Sequence, residues 1–577
     1  MNQLDPNTPV SRRAHQVKNT LAIAAKASVT AVALACLHMP AMSATTTDAE
    51  DAALVFSPAN FTTLNITVDG VSMAVRWYKE VCYVAKPVLM ASTQTSMMGG
   101  SSTIANPQCG YQSMNIYVPE SVASKQDTPI YLGFNNTGWM ASYVATSVKA
   151  GASLSSSTSN VGAALAAGYV YVDVGTRGRG ITAADGSYAG KAPAAVVDAK
   201  AAIRYLRLND SVMPGSAERI VINGTSGGGG LVSMVGASGN SSDYLSDLAT
   251  IGAAGIDANG RSTLRDNVLA VIAYCPISDL SHADWAYEWL YTTLGTRATV
   301  GSNPVPAVST ALAAKYPAYL RSLHLRNRSG QALTADNMMD AIKTEVIRSA
   351  EAYLAASASN SIPALGESFT ISSGGSAFGG AAASQSYTND WISVDTTTRK
   401  VVSLDMTRYL AFVATQNTLK SAPAFDQTGL SWETSTGESN LFGTSAQAYS
   451  NFTEFSWTNN DLAGDGIGYS DTGLNWVQYL RQAGNPVARQ TALTNPLNYL
   501  GGRADTAPYW YVRAGTRDRD TAFTVSYNLS RAVAADPRVV SINYQLAWGQ
   551  PHAGNYDVPE AMQWLSTSLA SAAKLKR

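Results

Sequence analysis

The sequence predicts an α/β protein in which a mostly parallel sheet is flanked by helices and the core is interrupted by a large insertion. Short apolar strands alternate with helices from about residue 60 to residue 280, and this alternation is typical of a parallel sheet covered on both faces. The alternation stops after residue 282 and resumes near Pro508. We therefore expect one core in two parts, 45–282 and 491–577, separated by an inserted cap at 283–490.

The individual elements of the core are predicted from short patterns. Apolar and β-branched runs predict strands, at 114–118, 130–134, 169–174, 220–222, 509–512 and 539–544. Apolar side chains that share one helical face, such as Val196, Ile203 and Leu206, predict helices, at 192–208, 522–534 and 559–573. The cap contains six of the 11 tryptophans and a Gly/Ser/Ala-rich run at 355–386.

Composition excludes several classes of protein. The 577 residues include 40 basic and 41 acidic side chains, so the formal net charge is −1. A chain without a basic surplus lacks the electrostatic footprint of a protein that binds nucleic acid or an anionic membrane surface. The hydrophobic content of 46% excludes a disordered chain. We expect a soluble monomer.

The N-terminus predicts export. An apolar stretch at 27–37, too short to span a bilayer, is followed by small residues at 41–44 and preceded by the basic residues Arg12, Arg13, Lys18 and Lys26. This order is typical of a signal peptide, here residues 1–44, and predicts a secreted or periplasmic protein without a membrane span. A twin-arginine signal and a lipoprotein anchored at Cys36 are the weaker alternatives.

Three cysteines remain after removal of the signal peptide. In an oxidising compartment Cys82 and Cys109 are able to pair, closing a loop rich in Ser, Met and Gly. The alternative is that these two and Cys275 are free buried thiols.

A glycine-rich turn supplies the candidate nucleophile, Ser226. The motif Gly224-Thr225-Ser226-Gly227-Gly228 follows the strand at 220–222 and precedes an apolar segment at 231–235, which is the strand–turn–helix context of a reactive serine. Side chains two residues before and after the serine would collide in so sharp a turn. The N–H of Gly227 is a candidate donor to an oxyanion. The alternative is a glycine-rich turn near a cofactor phosphate.

A serine hydroxyl becomes reactive when an imidazole accepts its proton and a carboxylate orients the imidazole. In the α/β-hydrolase fold, where this motif occurs, the chain order is Ser, Asp or Glu, then His. His552 is the histidine that lies between the last predicted strand and the last predicted helix, and it is our candidate base. Asp518, just beyond the strand at 509–512, is the candidate acid, with Asp520 as the alternative.

The remaining polar candidates are less specific. The second oxyanion donor is expected in the loop after the strand at 130–134, from an N–H near Thr137 or Gly138. His282 and His324 have no second histidine at ligand spacing, which disfavours a metal site. For His282 we expect a packing or hydrogen-bonding role. No metal and no cofactor are predicted.

Several blocks together resemble the bacterial tannases, the tannin acyl hydrolases of the α/β-hydrolase superfamily. The blocks are 190–195, 201–206, 223–228, 274–279, 285–288, 437–443, 495–499, 515–521 and the segment around His552. The most specific are the Asp-x-Asp of 515–521 and the Gly437-Glu438-Ser-Asn-Leu-Phe442-Gly443 of the cap. One position departs from the family pattern, because Gly227 stands where alanine is more usual.

The resemblance implies an enzyme that hydrolyses galloyl esters and releases gallic acid. It implies the triad Ser226, Asp518 and His552. It also implies that Lys420, Glu438 and Asp520 hold the galloyl hydroxyls, since carboxylates accept hydrogen bonds from phenols and a lysine donates to their oxygens. The rival interpretations are a feruloyl or other aromatic-acid esterase on the same fold and a non-catalytic binding protein; a peptidase is more distant.

Overall fold

A ten-stranded mixed sheet forms the centre of the protein. The computed structural model describes residues 49–575 except 96–100, 145–147, 258, 301–304, 374–382, 417, 434–436 and 463–467. The predicted signal peptide, 1–44, lies outside the described residues. The predicted fold class is confirmed: helices flank a large mixed sheet, and further structure extends beyond this core.

The described residues contain sixteen strands. They are β1 (Thr62–Val68), β2 (Val71–Cys82), β3 (Thr93–Thr95), β4 (Ser101–Thr103), β5 (Ser113–Pro119), β6 (Pro129–Phe134), β7 (Ser153–Leu154), β8 (Val170–Val174), β9 (Ser216–Thr225), β10 (Ala270–Tyr274), β11 (Ser368–Ser373), β12 (Ala383–Thr388), β13 (Ile392–Asp395), β14 (Lys400–Leu404), β15 (Tyr509–Gly515) and β16 (Ser541–Ala547).

Seventeen α-helices lie in the described residues, together with short 3-10 turns. The helices are α1 (Ala49–Ala53), α2 (Asn160–Ala166), α3 (Ala194–Leu208), α4 (Gly227–Ala237), α5 (Leu245–Thr250), α6 (Leu280–Thr293), α7 (Thr296–Thr299), α8 (Pro306–Ala313), α9 (Tyr316–Ser322), α10 (Ala335–Ala356), α11 (Met406–Gln416), α12 (Glu454–Asn459), α13 (Tyr469–Thr472), α14 (Trp476–Leu480), α15 (Val487–Ala492), α16 (Phe523–Ala535) and α17 (Val558–Leu575).

Six parallel strands of the sheet determine where the candidate active site lies. The sheet order is β16-β15-β10-β9-β6-β8-β5-β2-β1-β7, and the pairs from β16 through β8 are all parallel. Strand β10 is buried along its full length, as expected for a central strand covered on both faces. The carboxyl ends of these six strands meet at one edge of the sheet, the carboxyl edge, where ligands bind in open α/β sheets.

The chain between β10 and β15 contributes no described strand to the large sheet. Its strands β11 to β14 form two separate antiparallel pairs, and helices α6 to α15 make up most of the rest. This segment contacts the core directly: Arg328 donates from Nη2 to the carbonyl of Tyr544 at 3.1 Å, and the Tyr409 hydroxyl donates to the carbonyl of Thr516. The boundaries 45–282, 283–490 and 491–577 stay a prediction.

The sequence left the cysteine pairing open, and the structure contains a disulfide between Cys82 and Cys109, with the two Cα atoms 5.7 Å apart. Cys275 is free and buried. His324 lies exposed in a left-handed turn just after α9. Among the described helices, none combines the length and apolar character that crossing a membrane requires.

Candidate active site

Ser226 lies at the turn between β9 and α4, in a conformation that few side chains adopt. Its φ is 62° and its ψ is −123°, a strained combination of the kind kept where it positions a reactive group. The turn is as sharp as the motif predicts, since a Cβ added to Gly224 would lie 2.3 Å from the carbonyl oxygen of Gly228. A Cβ at Gly228 would lie 2.6 Å from the carbonyl oxygen of Phe134, so both positions require glycine.

Three side chains far apart in the chain meet at the carboxyl edge. His552 Nε2 lies 2.8 Å from Ser226 Oγ, and His552 Nδ1 lies 2.9 Å from Asp518 Oδ2. Asp518 follows β15, and His552 lies in the loop after β16. Ser226 is 9% exposed and Asp518 is fully buried. The structure thus forms a continuous hydrogen-bonded chain from a carboxylate through an imidazole to a hydroxyl.

The two ionisable members of this chain stabilise each other's charge. Burial alone would raise the pKa of Asp518, but the charge and hydrogen bond of His552 hold that pKa below its usual value. Burial opposes protonation of His552, and the Asp518 carboxylate outweighs this effect, so the pKa of His552 lies well above its usual 6.5. Asp518 Oδ1 also accepts the backbone N–H of Asp520 at 2.9 Å. A carboxylate held in this way stays ionised and keeps the imidazole oriented.

Gly227 and Gly138 carry the two backbone N–H groups that best fit the role of oxyanion donor. Gly227 begins α4 directly after the serine. Thr137 donates its own N–H to the carbonyl of Asn135 at 2.9 Å, whereas in the described part of the chain neither Gly138 nor Gly227 has a recorded acceptor for its N–H. Between the two predicted candidates in this loop, the geometry therefore favours Gly138.

Gly227 also lies in close contact with that loop. A Cβ at Gly227 would lie 2.2 Å from the nitrogen of Trp139 and 2.9 Å from that of Gly138. The loop therefore lies against the turn at a distance that only glycine permits. In this chain, position 227 therefore has no room for a side chain.

Asp520 and Lys420 are brought near each other through one tyrosine. The Tyr287 hydroxyl donates to the carbonyl of Arg519 at 2.7 Å and accepts the N–H of Lys420 at 3.1 Å. The Asp520 carboxylate lies 2.9 Å from Nη1 of Arg519, and Lys420 Nζ lies 4.2 Å from the ring centroid of Phe425. The Tyr287 hydroxyl, on α6, thus forms hydrogen bonds both to the Lys420 segment and to the Asp518–Asp520 loop.

Glu438 reaches the same region through Arg179. Its carboxylate lies 3.6 Å from Arg179 Nη2, and Arg179 Nε donates to the carbonyl of Gly138 in the oxyanion loop. Glu438 is only 5% exposed, and its N–H donates to the carbonyl of Phe425 at 2.8 Å. The Glu438 segment is therefore bonded to Phe425, whose ring Lys420 contacts. Through Arg179 it is also linked to the loop after β6 that carries Gly138, the oxyanion loop.

The buried Asp284 and the half-buried Lys191 hold the segments that carry Lys420 and Glu438. Asp284 on α6 accepts the backbone N–H groups of Phe425 at 2.7 Å and Asp426 at 3.2 Å. Lys191 Nζ donates to the carbonyls of Asn440 and Phe442 at 2.9 and 2.8 Å. These bonds give a loop segment the fixed position that a binding site requires.

Two residues of the site were missed by sequence reasoning. Arg179 lies in a glycine-rich loop, 175–180, to which sequence reasoning assigned no role, and Cys275 was considered only as a free buried thiol. Cys275 Sγ lies 3.0 Å from the Tyr556 hydroxyl, and one atom each of Cys275, Asp518 and His552 lie within 4.8 Å of one another. Both residues follow the carboxyl end of a parallel strand, β8 and β10, and this position is the signal that could have found them.

The Cys275, Asp518 and His552 cluster has ligand types that suit a metal ion. However, Asp518 Oδ2 and His552 Nδ1 are already bonded to each other, and burial raises the pKa of the Cys275 thiol, which opposes formation of a thiolate ligand. The arrangement is suited instead to proton transfer from Ser226 and stabilisation of the imidazolium that results.

His282 forms a hydrogen bond, as expected from the sequence. Its Nδ1 lies 2.7 Å from Asp279 Oδ1.

Comparison with protein families gives one match. The family model described as BD-FAE, an α/β-hydrolase family, matches residues 114–310, which include β6 to β10, all but the first residue of β5, and the Ser226 turn. No curated protein sequence matches the chain.

Solved structures resemble nearly the whole chain. A tannase from Fusobacterium nucleatum is 29% identical, with a TM-score of 0.67, covering 89% of this chain and 99% of that one. A tannin acyl hydrolase from Lactobacillus plantarum is 27% identical, with a TM-score of 0.67 and coverage of 89% and 99%. A tannin acyl hydrolase in complex with ethyl gallate is 26% identical, with a TM-score of 0.66 and coverage of 89% and 98%. The chain is thus a carboxylic ester hydrolase with the α/β-hydrolase fold, and its structural neighbours are tannases.

Proposed function

We propose that the chain is an exported serine esterase that hydrolyses galloyl ester and depside bonds of tannins and simple gallate esters and releases gallic acid. The observation that carries this proposal is the hydrogen-bonded chain Asp518–His552–Ser226, 2.9 and 2.8 Å long at its two links, beside the segments that bear Lys420, Glu438 and Asp520. Resemblance to a tannin acyl hydrolase bound to ethyl gallate supports the choice of substrate.

The first half-reaction forms an acyl-enzyme. Ser226 Oγ attacks the ester carbonyl while His552 Nε2 accepts the hydroxyl proton. The carbonyl oxygen becomes an oxyanion that the N–H groups of Gly227 and Gly138 stabilise. The tetrahedral intermediate then collapses, the bond to the alcohol oxygen breaks, and His552 gives its proton to the leaving alcohol.

The second half-reaction releases the acid. Water attacks the galloyl carbonyl and His552 takes one of its protons. The bond to Ser226 Oγ then breaks and His552 returns the proton to the serine. Throughout, Asp518 stays ionised and stabilises the imidazolium, and every step uses groups of the chain and water, without a cofactor.

The galloyl ring is held by charged groups placed for its hydroxyls. Carboxylates at Glu438 and Asp520 accept hydrogen bonds from phenolic hydroxyls, and the Lys420 ammonium donates to a phenolic oxygen. A site built to bond substrate hydroxyls rejects an analogue that lacks them by up to about 10⁴–10⁵. We also propose that the enzyme acts as a secreted or periplasmic monomer, after removal of residues 1–44.

A comparison of two esters tests the function. Purified enzyme is expected to turn over methyl gallate with a higher kcat/KM than methyl ferulate, because ferulate carries fewer hydroxyls and a longer acyl chain. Product formation is followed by chromatography of the released acid. Faster hydrolysis of methyl ferulate would contradict the tannase assignment in favour of a feruloyl esterase.

Replacement of Glu438 by glutamine tests the recognition of hydroxyls. A hydrogen bond to a charged group contributes about 1.5–3 kcal/mol, so kcat/KM for methyl gallate is expected to fall about 10- to 100-fold. Methyl benzoate has no phenolic hydroxyl, and its slow hydrolysis is expected to change little.

The exposed Glu454 on α12, replaced by glutamine, is the matched control and is expected to leave both rates unchanged. Glu438 also lies beside Arg179, which bonds the oxyanion loop. Equal losses for both esters would therefore assign Glu438 to support of that loop and would contradict its role in binding hydroxyls.

A further inference from the structure

An aromatic cavity lies beside the two loops that carry Asp518 and His552. Its volume is about 270 Å³. Strands and helices from the segment between β10 and β15 supply one wall, with Phe369, Trp391 and Phe412, and the two catalytic loops supply the other wall, with Arg517, Trp548 and Gly549. None of the functional residues assigned above lines this cavity.

The sheet topology places the cavity at a defined distance from the nucleophile. Arg517 follows β15, and Trp548 and Gly549 follow β16. Strands β15 and β16 are the second and third neighbours of β9 in the sheet, and neighbouring strands lie 4.7–4.9 Å apart. The cavity wall is therefore about 10–15 Å along the carboxyl edge from the Ser226 strand.

The loop between the cavity and His552 crosses the end of β15 in close contact with it. Arg517 donates its N–H to the carbonyl of Gln550 at 2.9 Å, and a Cβ at Gly515 would lie 2.2 Å from that same oxygen. Residues 549–552 thus follow a fixed path from the cavity wall to the catalytic imidazole. A group bound in the cavity lies on the His552 side of the site.

The residues that line the cavity suit a planar ring that carries oxygen atoms. Trp391 stacks on Phe412 with centroids 5.1 Å apart and lies 5.7 Å from Trp548. An apolar cavity of about 150 Å³ already holds benzene, so the volume here suits a substituted ring.

Arg517 adds a polar group to this aromatic wall. Its Nε donates to the carbonyl of Gly549 at 2.6 Å and its Nη1 donates to Gln416 at 2.7 Å. For Nη2, the described structure records no partner. A guanidinium N–H beside aromatic rings suits a ring that bears hydrogen-bond acceptors.

We propose that this cavity is a second aromatic subsite, which binds a phenolic ring in the alcohol part of the ester. This inference rests on the proposed function, in which His552 gives its proton to the leaving alcohol, so that the alcohol lies on the His552 side. The separation of about 10–15 Å suits a ring joined through a sugar to the galloyl group under attack. An ester with a second phenolic ring on its alcohol part is therefore expected to bind more tightly than an ester with one ring.

The test compares one ring with two. Wild-type enzyme is expected to hydrolyse digalloylglucose with a kcat/KM about tenfold higher than that of monogalloylglucose, since stacking of the second ring on the aromatic wall adds to the effect of its burial. Replacement of Phe369 by alanine is expected to remove most of this preference. Leu365, which is 59% exposed and outside the cavity, is replaced by alanine as the control and is expected to retain it.

Equal kcat/KM values for the two substrates in wild type, or a preference that survives Phe369→Ala, would overturn the subsite. A binding measurement separates this failure from failure of the proposed function. Binding of each galloylglucose is measured from the tryptophan fluorescence of two proteins. One carries Ser226→Ala alone, and the other carries Ser226→Ala together with Phe369→Ala. Tighter binding of digalloylglucose that Phe369→Ala abolishes supports the subsite even if neither ester is hydrolysed, whereas equal binding of both ligands refutes it.

Discussion

Replacement of Ser226 by alanine is expected to lower kcat for methyl gallate by about 10⁶, because loss of the nucleophile of such a triad costs about as much as loss of all three members. The ester still fits the binding groups, so the dissociation constant of methyl gallate is expected to change little. Steady-state kinetics measure the first quantity and fluorescence titration measures the second.

Ser233 provides the matched control for this experiment. It is a buried serine on the same helix, α4, and its hydroxyl donates to the carbonyl of Gly229 at 2.7 Å. Ser233→Ala is expected to retain activity and to react with a fluorophosphonate probe, whereas Ser226→Ala is expected to do neither. Undiminished hydrolysis by Ser226→Ala would refute the mechanism, and absence of labelling in the wild type would favour the non-catalytic alternative.

Replacement of Asp518 by asparagine is expected to lower kcat by about 10⁴, because the amide favours the wrong tautomer of the imidazole. It also changes the pH dependence. The neutral form of His552 is the base, so activity rises as pH increases through the pKa of His552. Asp518 raises that pKa despite the opposing effect of burial. Without the carboxylate the pKa falls, and the acid limb of kcat/KM against pH is expected to move to lower pH.

Asp520→Asn is the control for the Asp518 experiment, since it removes a carboxylate only two residues away. It is expected to weaken binding of methyl gallate while the acid limb stays where it is in the wild type. This pair also resolves the alternative that the sequence left open. If Asp520→Asn shifted the acid limb and Asp518→Asn did not, the triad acid would be Asp520.

Local patterns predicted the core well because they depend on neighbouring residues. The predicted strand at 220–222 lies within β9, Ser216–Thr225, and the predicted helix at 192–208 is α3, Ala194–Leu208, which begins directly after Pro193. Gly224 follows from the same reasoning, since a Cβ there would collide with Gly228, four positions along the chain. Gly227 and Gly228 differ, because a Cβ at either would collide with the end of β6 or the loop after it, which only the fold brings near.

The surroundings of the site were less predictable because their partners are distant in the chain. Arg179 contacts Glu438 across 259 positions of sequence, and no local pattern at either residue indicates the other. Cys275 is separated from His552 in the same way. Tyr287, which links Lys420 to the Asp518–Asp520 loop, lies 133 positions from Lys420 and 232 positions from Arg519.

By itself, the sequence determined the fold class and predicted Ser226, Asp518 and His552 as a triad, because turn sterics and the succession of strands and helices depend on short stretches of chain. Only the tertiary structure favoured Gly138 over Thr137 as the second donor, showed the contact of Glu438 with Arg179, and formed the aromatic cavity beside the His552 loop. Those features depend on which strand ends become neighbours and which N–H groups already have acceptors. Both are properties of packing between segments that the sequence separates by tens to hundreds of residues.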